Sequence, residues 1–245
     1  MLALITGSGK KRVGAAVATL LAERGWDIAV HYNLSATEAA ETVRELRSLG
    51  VQAEAFRADL ASESDITRLV ADVQARFSRI DLLANCAAIW ESKPLEDVTA
   101  DDVRRHFEVN ALGTFLAAQQ VGLAMVKQPE GGLIVNVGDW AESRPYPHYA
   151  AYFPSKGAVT AITKCLAVEL GLRNPRVRVN EVLPGPVMLP PEMSEADKRE
   201  AIGATLVKRE GSPRNVAQAV LAFWENDFLT GACLPVDGGR TVFAP

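Results

Sequence analysis

Cysteine is scarce. The 245 residues contain three, Cys86, Cys165 and Cys233. They are odd in number, far apart and without CxxC spacing, which argues against a disulfide framework and against a thiolate metal site. The expectation is of reduced, mostly buried thiols in a cytoplasmic protein with no metal. Basic charge is also in deficit. Lys and Arg number 26 against 30 Asp and Glu, a net charge of −4. That argues against the broad basic face a nucleic-acid partner requires, while leaving room for a local phosphate pocket. Long apolar runs are missing too. The run Leu133 to Val137 is strand-length, whereas a bilayer span takes about 20 residues, so no membrane partner is expected. Met1 to Ala3 leads straight into a Gly-rich turn with no basic segment before an apolar run, so no targeting segment is expected either.

What is present is apolar content, 48% of residues, enough for one sizeable core. The chain reads as a single domain over 1–245, with no repeat or linker. Short β-like runs alternate with amphipathic helical segments. Leu2–Thr6, Asp27–His31, Val51–Arg57, Asp81–Asn85, Gly132–Val137, Val177–Val182 and Cys233–Val236 read as strands. Helices are expected from the first turn to about Arg24, over Ser35–Leu49, from Ser62 to about Phe77, over Thr99–Val109 and over Ala111–Lys127. Ser62, with Asp65 three residues on, has the form of an N-cap. Such alternation is the mark of a parallel sheet with right-handed crossover helices on both faces. Leu183–Glu192 holds four prolines and reads as a loop or lid, since proline continues neither a helix nor a central strand.

Two patterns carry chemistry. Thr6-Gly7-Ser8-Gly9-Lys10-Lys11-Arg12-Val13-Gly14 lies between the first strand and first helix, where the pyrophosphate of a dinucleotide meets a helix N-terminus. Lys10, Lys11 and Arg12 add positive charge. A tight turn without ligand has the same look, and the α/β context favours the nucleotide. The second strand runs into His31-Tyr32-Asn33-Leu34-Ser35 with no carboxylate to hold a ribose 2′-hydroxyl. A 2′-phosphate is therefore not repelled, and Arg12 and Ser35 are within range of one, which favours NADPH over NADH. Ser35 equally suits a helix N-cap. The second pattern is Tyr152-x-x-x-Lys156. On a helix these share a face, and an ammonium beside a phenol is expected to lower its pKa and make it a proton donor near neutral pH. A surface Tyr–Lys pair has the same spacing.

Taken together with Asp59-Leu60, Asn85-Cys86-Ala87-Ala88, Asn110, Pro184-Gly185 and Pro235-Val236-Asp237-Gly238-Gly239, these motifs resemble the short-chain dehydrogenase/reductase family over essentially the whole length. The resemblance implies a Rossmann-type doubly wound sheet of about seven strands in the order 3-2-1-4-5-6-7. It implies that Gly7, Val13, Tyr32, Asn33 and Leu34 join the charged residues around the cofactor, and that Asp59 and Leu60 flank the adenine. By the same resemblance Asn85, Cys86 and Ala87 line the cofactor channel and Asn110 holds a water in a relay to Lys156. Lys156 also binds the nicotinamide ribose, and Pro184, Gly185 and Val187 meet the nicotinamide. A homotetramer packed through helices near 111–127 and 153–171 is implied as well.

One departure bears on the reaction. The family usually has serine thirteen residues before the tyrosine, where this chain has Asp139. Serine donates to a developing alkoxide, whereas ionised aspartate only accepts and opposes that charge. Asp139 argues against ordinary ketone reduction and fits proton delivery to the nitrogen of a C=N bond. A degenerate site is the plain alternative. The pteridine reductase branch of the family resembles this chain in that aspartate, in Arg12-Val13-Gly14, in His31–Ala36 and in an aromatic at Trp90. That branch implies Trp90 and Tyr149 as pterin contacts beside Asp139 and Tyr152. Trp90 by itself is more ordinarily a core or interface residue. The first turn is one residue longer than in that branch. Leu34 replaces a basic residue, Ala88 a serine and Cys86 a second asparagine. The expected substrate loops are 139–150 and 184–210, with His148 a solvated loop residue. Three functions follow: an NADPH-dependent dihydropterin reductase, a reductase of 3-oxoacyl or other ketones, and a non-catalytic NADPH-binding protein.

Overall fold

The computed structural model describes residues 1–243. Seven parallel strands form one sheet: β1 (Leu2–Thr6), β2 (Asp27–Tyr32), β3 (Ala53–Arg57), β4 (Leu82–Asn85), β5 (Gly132–Val137), β6 (Val177–Pro184) and β7 (Cys233–Val236). Their order is β3-β2-β1-β4-β5-β6-β7, as the family resemblance implied. Helices α1 (Val13–Ala22), α2 (Ala36–Ser48), α3 (Glu63–Phe77), α4 (Ala100–His106), α5 (Gly113–Val126), α6 (Tyr152–Gly171), α7 (Glu195–Gly203) and α8 (Pro213–Glu225) make up the crossovers and the cover. A sheet covered on both faces needs strands apolar on both faces, and every residue of β1 is buried. One core cluster packs α1, α2 and α8 against one face, through Val17, Leu21, Val43, Val220 and Phe223. The other packs α3, α5 and α6 against the opposite face, through Ile66, Val73, Ala118, Val121 and Leu166.

The register sets up the site. Thr6 of β1 aligns with Asn85, Asn85 with Asn136, Asn136 with Glu181, and Glu181 with Cys233. One rung therefore crosses five strands, at the carboxyl ends of β1 and β4 and near that of β5, the edge at which parallel α/β sheets bind ligands, and continues through Glu181 within β6 to Cys233 at the start of β7.

Several boundaries differ from those expected. The two helices expected over 99–127 are one continuous helix from Ala100 to Val126, because Phe107–Leu112 closes a π-helical turn instead of breaking the axis. That helix is long and apolar enough by composition to cross a membrane, contrary to the expectation that no such stretch exists. Its apolarity serves the core: Ala117, Ala118, Val121 and Met125 are all buried. β6 runs on to Pro184, against the expectation that proline ends it earlier. Pro184 is the last residue of the strand, and the next amide, that of Gly185, pairs with Val236 O at 3.0 Å. Strand β3 starts at Ala53 and not Val51, and α1 ends at Ala22, short of Arg24. Cys165 is exposed on α6 and Cys86 and Cys233 are half-buried, so the thiols are less buried than expected. Ser62 does cap α3, accepting from Asp65 N at 3.3 Å, but the Asp65 carboxylate turns to Asp59 N at 2.9 Å. The cap thereby fixes the backbone just after β3.

Candidate active site

The Gly-rich turn is held from three sides. Gly7 has φ +64°, the left-handed region that glycine occupies without penalty, and its amide donates to His31 Nδ1 at 3.0 Å. Ser8 is buried and donates to Ile5 O at 2.7 Å. Thr6 Oγ1 accepts from the amides of Cys86 and Ala87 at 3.0 and 3.1 Å, tying the turn to the end of β4. A Cβ on Gly7 would meet Ala87 Cα at 2.7 Å, and one on Gly14 would meet Gly7 O at 2.8 Å. The backbone is thus packed tightly before α1, whose N-cap residue Arg12 makes no capping bond with its side chain. The first amides of α1 open onto this turn, the setting in which a helix N-terminus can receive an anion.

The charged residues around this turn divide. Lys11 Nζ pairs with Glu45 at 2.7 Å and Lys10 Nζ with Glu38 at 3.9 Å, both exposed over α2. Such pairs are weak and exchangeable. Arg12 is exposed and has no ion-pair partner among the described residues. Ser35 is the N-cap residue of α2 but its hydroxyl makes no capping bond. Tyr32 and Asn33 are half-buried and Leu34 is exposed. After β3, Asp59 is exposed, with Oδ1 taken by Ala61 N at 3.0 Å. Leu60 is buried, and a Cβ on Gly113 would meet its carbonyl at 2.6 Å.

Asn85 ends β4. Its Nδ2 donates to Asn136 Oδ1 at 3.0 Å, and Asn136 Nδ2 to Thr163 Oγ1 at 2.9 Å. Asn85 Oδ1 is buried without a partner. Asn110 lies in the π-helical turn. It accepts from Ile89 N at 2.8 Å and donates to Ile89 O at 2.9 Å and to Ser155 Oγ at 3.1 Å. Its amide therefore staples the loop after β4 to the first turn of α6, and no bond runs from it to Lys156. Gly185 faces Asp237, and Val187 is buried in the loop after β6.

Asp139, Tyr152 and Lys156 come together where β5 ends against the start of α6. Tyr152 Oη donates to Asp139 Oδ2 at 2.9 Å, and Asp139 Oδ1 accepts from Ala141 N at 2.8 Å. Lys156 is buried and its Nζ donates to Val137 O at 2.7 Å. The ammonium is 6.0 Å from the centre of the phenol ring. Burial pushes Tyr152 well above the ordinary phenol range, and the Asp139 charge pushes the same way. This corrects the expectation that Lys156 lowers the phenol. The carboxylate sits at hydrogen-bond distance and the ammonium is spent on a carbonyl, so the nearer negative charge prevails. Asp139 is itself raised by burial, against the Ala141 amide, the Tyr152 hydroxyl and Lys156. Lys156 is lowered by burial, against Asp139, Glu181, Cys86 and Glu142. Asp139 and Tyr152 are thus both shifted toward their protonated forms.

Aromatic rings wall this pair. Trp90 and Tyr149 stack with centroids 4.8 Å apart and planes 12° apart. Tyr146 meets Tyr149 and Phe153 edge-on at 5.1 and 4.9 Å. Trp90 and Tyr149 therefore come together as expected, but as partners of each other. His148, with φ +72°, is an exposed loop residue whose carbonyl accepts from Lys93 N at 2.7 Å. Beside it a cleft of about 650 Å³ is lined by Leu95, Glu142, Tyr146, His148 and Phe153. The loop at 184–210 carries α7, which buries none of its residues.

Sequence reasoning missed three groups. His31 bridges the Gly-rich turn to Ala58 O, 3.1 Å from Nε2. Arg144 binds Arg240 O and Phe243 O at 2.8 and 2.6 Å, strapping the end of the chain over Trp140, on which the Arg240 guanidinium rests at 4.9 Å. Glu142 and Glu181 meet at Thr160. The available signal was a histidine and a glutamate inside strands that are largely buried.

Residues 8–241 match the family model described as enoyl-(acyl carrier protein) reductase. The oxidoreductase YohF of Escherichia coli, whose function is uncharacterized, is 34% identical over 99% of this chain and 96% of its own length. Versicolorin reductase stcU of Emericella nidulans is 31% identical over 97% and 94%. The crystal structure of acetoin dehydrogenase from Enterobacter cloacae superposes with a TM-score of 0.88 at 34% identity, covering 100% of this chain and 96% of that one.

Proposed function

Since the chain belongs to the short-chain dehydrogenase/reductase family of oxidoreductases, we propose that it is an NADPH-dependent reductase of a C=N bond in a flat heteroaromatic substrate, a dihydropterin or related pteridine. The observation that carries this reading is the 2.9 Å bond from Tyr152 Oη to Asp139 Oδ2, behind the stacked Trp90 and Tyr149. A ring nitrogen that gains a proton needs an acid: burial raises Asp139 toward the neutral form that can donate, and the Tyr152 hydroxyl lies at hydrogen-bond distance from it. A bound nicotinamide cofactor supplies the hydride. The chain's residues do the rest: Gly7, Gly9 and the amides opening α1 receive the pyrophosphate, and Arg12, Ser35 and the lysines Lys10 and Lys11 take a 2′-phosphate once their exposed pairings exchange. Asn85 offers its unpartnered Oδ1 toward the cofactor channel. Lys156 holds the cofactor ribose, and Asn110 keeps α6 in register with the loop after β4.

The single-domain organisation over 1–245, the cytoplasmic setting and a homotetramer belong to the same proposal. The last is supported by exposed Phe107 and Leu112 in the π-helical turn, which line one apolar groove with Phe115 of α5 and Ile162 of α6 that a second copy would cover.

A second reading, reduction of a ketone, is favoured by the relatives that bear the names acetoin dehydrogenase and versicolorin reductase. Asp139 in its neutral form would then serve as the donor. The two separate in one experiment: cofactor oxidation with NADPH and with NADH, offered dihydrobiopterin, acetoin and an acetoacetyl thioester. Turnover of the pterin with NADPH, falling by about 10²–10³ in Asp139→Ala as for loss of a charge-stabilising group, supports C=N reduction. Turnover confined to the ketones and retained in Asp139→Ser leaves a carbonyl reductase.

A further inference from the structure

Two carboxyl groups outside the proton-donor pair converge on a single hydroxyl. Glu181 sits within β6 and is fully buried, and Glu142 closes the short turn Trp140–Glu142 after Asp139. Thr160 lies on α6 one turn beyond Lys156. Its Oγ1 is 2.7 Å from Glu181 Oε2, and 2.9 and 3.0 Å from the two oxygens of Glu142. A threonine hydroxyl carries one hydrogen and can donate it to one carboxyl only. The other contact is a hydrogen bond only if that carboxyl is protonated and donates to Oγ1. Two ionised carboxylates so close, one fully buried and the other half-buried, would repel, which favours uptake of a proton by one of them. Glu181 Oε1 has no partner and is pressed against Gly138, where a Cβ would meet it. An ionised oxygen so enclosed is costly.

The charges around the pair are few. Lys156 and Lys164 face Glu181 from α6, and Cys233 lies beside it on β7. Asp139 and Lys156 face Glu142. Burial first, then the Glu181 charge, push Glu142 up to about 7, and burial raises Glu181 as well. Glu142 also borders the 650 Å³ cleft, which opens a path for the proton to solvent.

We propose that Glu142 and Glu181 share one proton through the Thr160 hydroxyl at neutral pH, and that this buried pair is a positioning element that sets the charge state of Lys156. With one proton the pair presents a single negative charge to the ammonium. When pH rises and the proton leaves through Glu142, a second charge appears and holds Lys156 protonated to higher pH. Only the consequence for turnover rests on the reading of Lys156 given above; the shared proton does not.

The test is made on the full chain and needs no substrate. Infrared spectra of protein with ¹³C-labelled glutamate should show a protonated-carboxyl band at neutral pH. The band should vanish in Glu181→Gln and in Glu142→Gln, and persist in Thr160→Ser, which keeps the hydroxyl. The ¹⁵N resonance of Lys156 Nζ should titrate about one pH unit lower in Glu181→Gln than in the parent, because a negative neighbour is gone. No protonated glutamate at neutral pH in the parent protein, or a band unchanged in both glutamine variants, overturns the shared proton. A Lys156 titration identical in parent and Glu181→Gln overturns its role at the lysine. Thr160→Ser guards against a variant that merely misfolds, since it should match the parent in both readouts.

Discussion

His31 should make the protein lose stability over a defined acid window. Its ring is buried, with Nδ1 accepting from Gly7 N at 3.0 Å and Nε2 3.1 Å from Ala58 O. An amide only donates and a carbonyl only accepts, so the ring is neutral with its proton on Nε2. A second proton would set Nδ1–H against the Gly7 amide and bury a cation. Burial therefore lowers His31 from 6.5 to about 4, although the Ala58 carbonyl and Asp59 oppose the shift. The unfolded chain takes up its proton near the ordinary value, whereas the folded one resists until about pH 4. Stability from this group is complete above the unfolded value, declines as pH falls between the two, and levels off below the folded value. At roughly 1.4 kcal/mol per unit the loss is about 3 kcal/mol, a large share of the ~5–15 kcal/mol typical of a domain.

The comparison is urea unfolding of the parent and of His31→Gln at a series of pH values. A glutamine amide offers an acceptor and a donor without titrating. Glu142 and the other carboxyls titrate in both proteins, so the difference between the curves isolates the imidazole. The parent should lose about 3 kcal/mol relative to the variant across the window. Parallel curves would refute the assignment, as would a steeper loss in the variant. Cofactor affinity should hold across that window and weaken only near pH 4, where the folded imidazole itself takes a proton and the Gly7 bond that fixes the Gly-rich turn is lost.

Three further outcomes follow from the geometry. Gly7→Ala should cost about 1–3 kcal/mol through strain at positive φ and overpacking, and should abolish cofactor binding measured by fluorescence, because the new Cβ meets Ala87 Cα at 2.7 Å. Trp90→Ala removes a stacking partner of Tyr149. It should cost about 0.5–1.5 kcal/mol in thermal unfolding and raise KM for an aromatic substrate more than for acetoin; equal effects on both would count against an aromatic-lined substrate site. Iodoacetamide at mildly alkaline pH should label exposed Cys165 first, read by peptide mass spectrometry. Cys86 and Cys233, each pushed up to about 12 mainly by burial, should stay largely unlabelled.

The strand and helix alternation, the Gly-rich turn and the Tyr152–Lys156 spacing were legible in the sequence because each depends on neighbours a few residues apart. A strand buried on both faces must read as apolar throughout, and i and i+4 share a helix face wherever the helix lies. The continuity of the helix across Phe107–Leu112 was not legible, because a π-helical turn keeps the apolar pattern while shifting its phase. Nor was the direction of the Tyr152 pKa. It turned on whether Lys156 Nζ reached the phenol or the Val137 carbonyl, a choice made by packing and not by spacing. The pairings of His31 with Gly7 and of Glu181 with Thr160 and Glu142 were hidden for a related reason. Each is a polar residue within a largely buried strand, and nothing local says what it meets. The sequence alone determined which segments are strands and where the Gly-rich turn lies. Sheet register, which brings Thr6, Asn85, Asn136, Glu181 and Cys233 into one rung, decided which polar groups face one another, because hydrogen bonds and charge interactions depend on distances set between strands far apart in the chain.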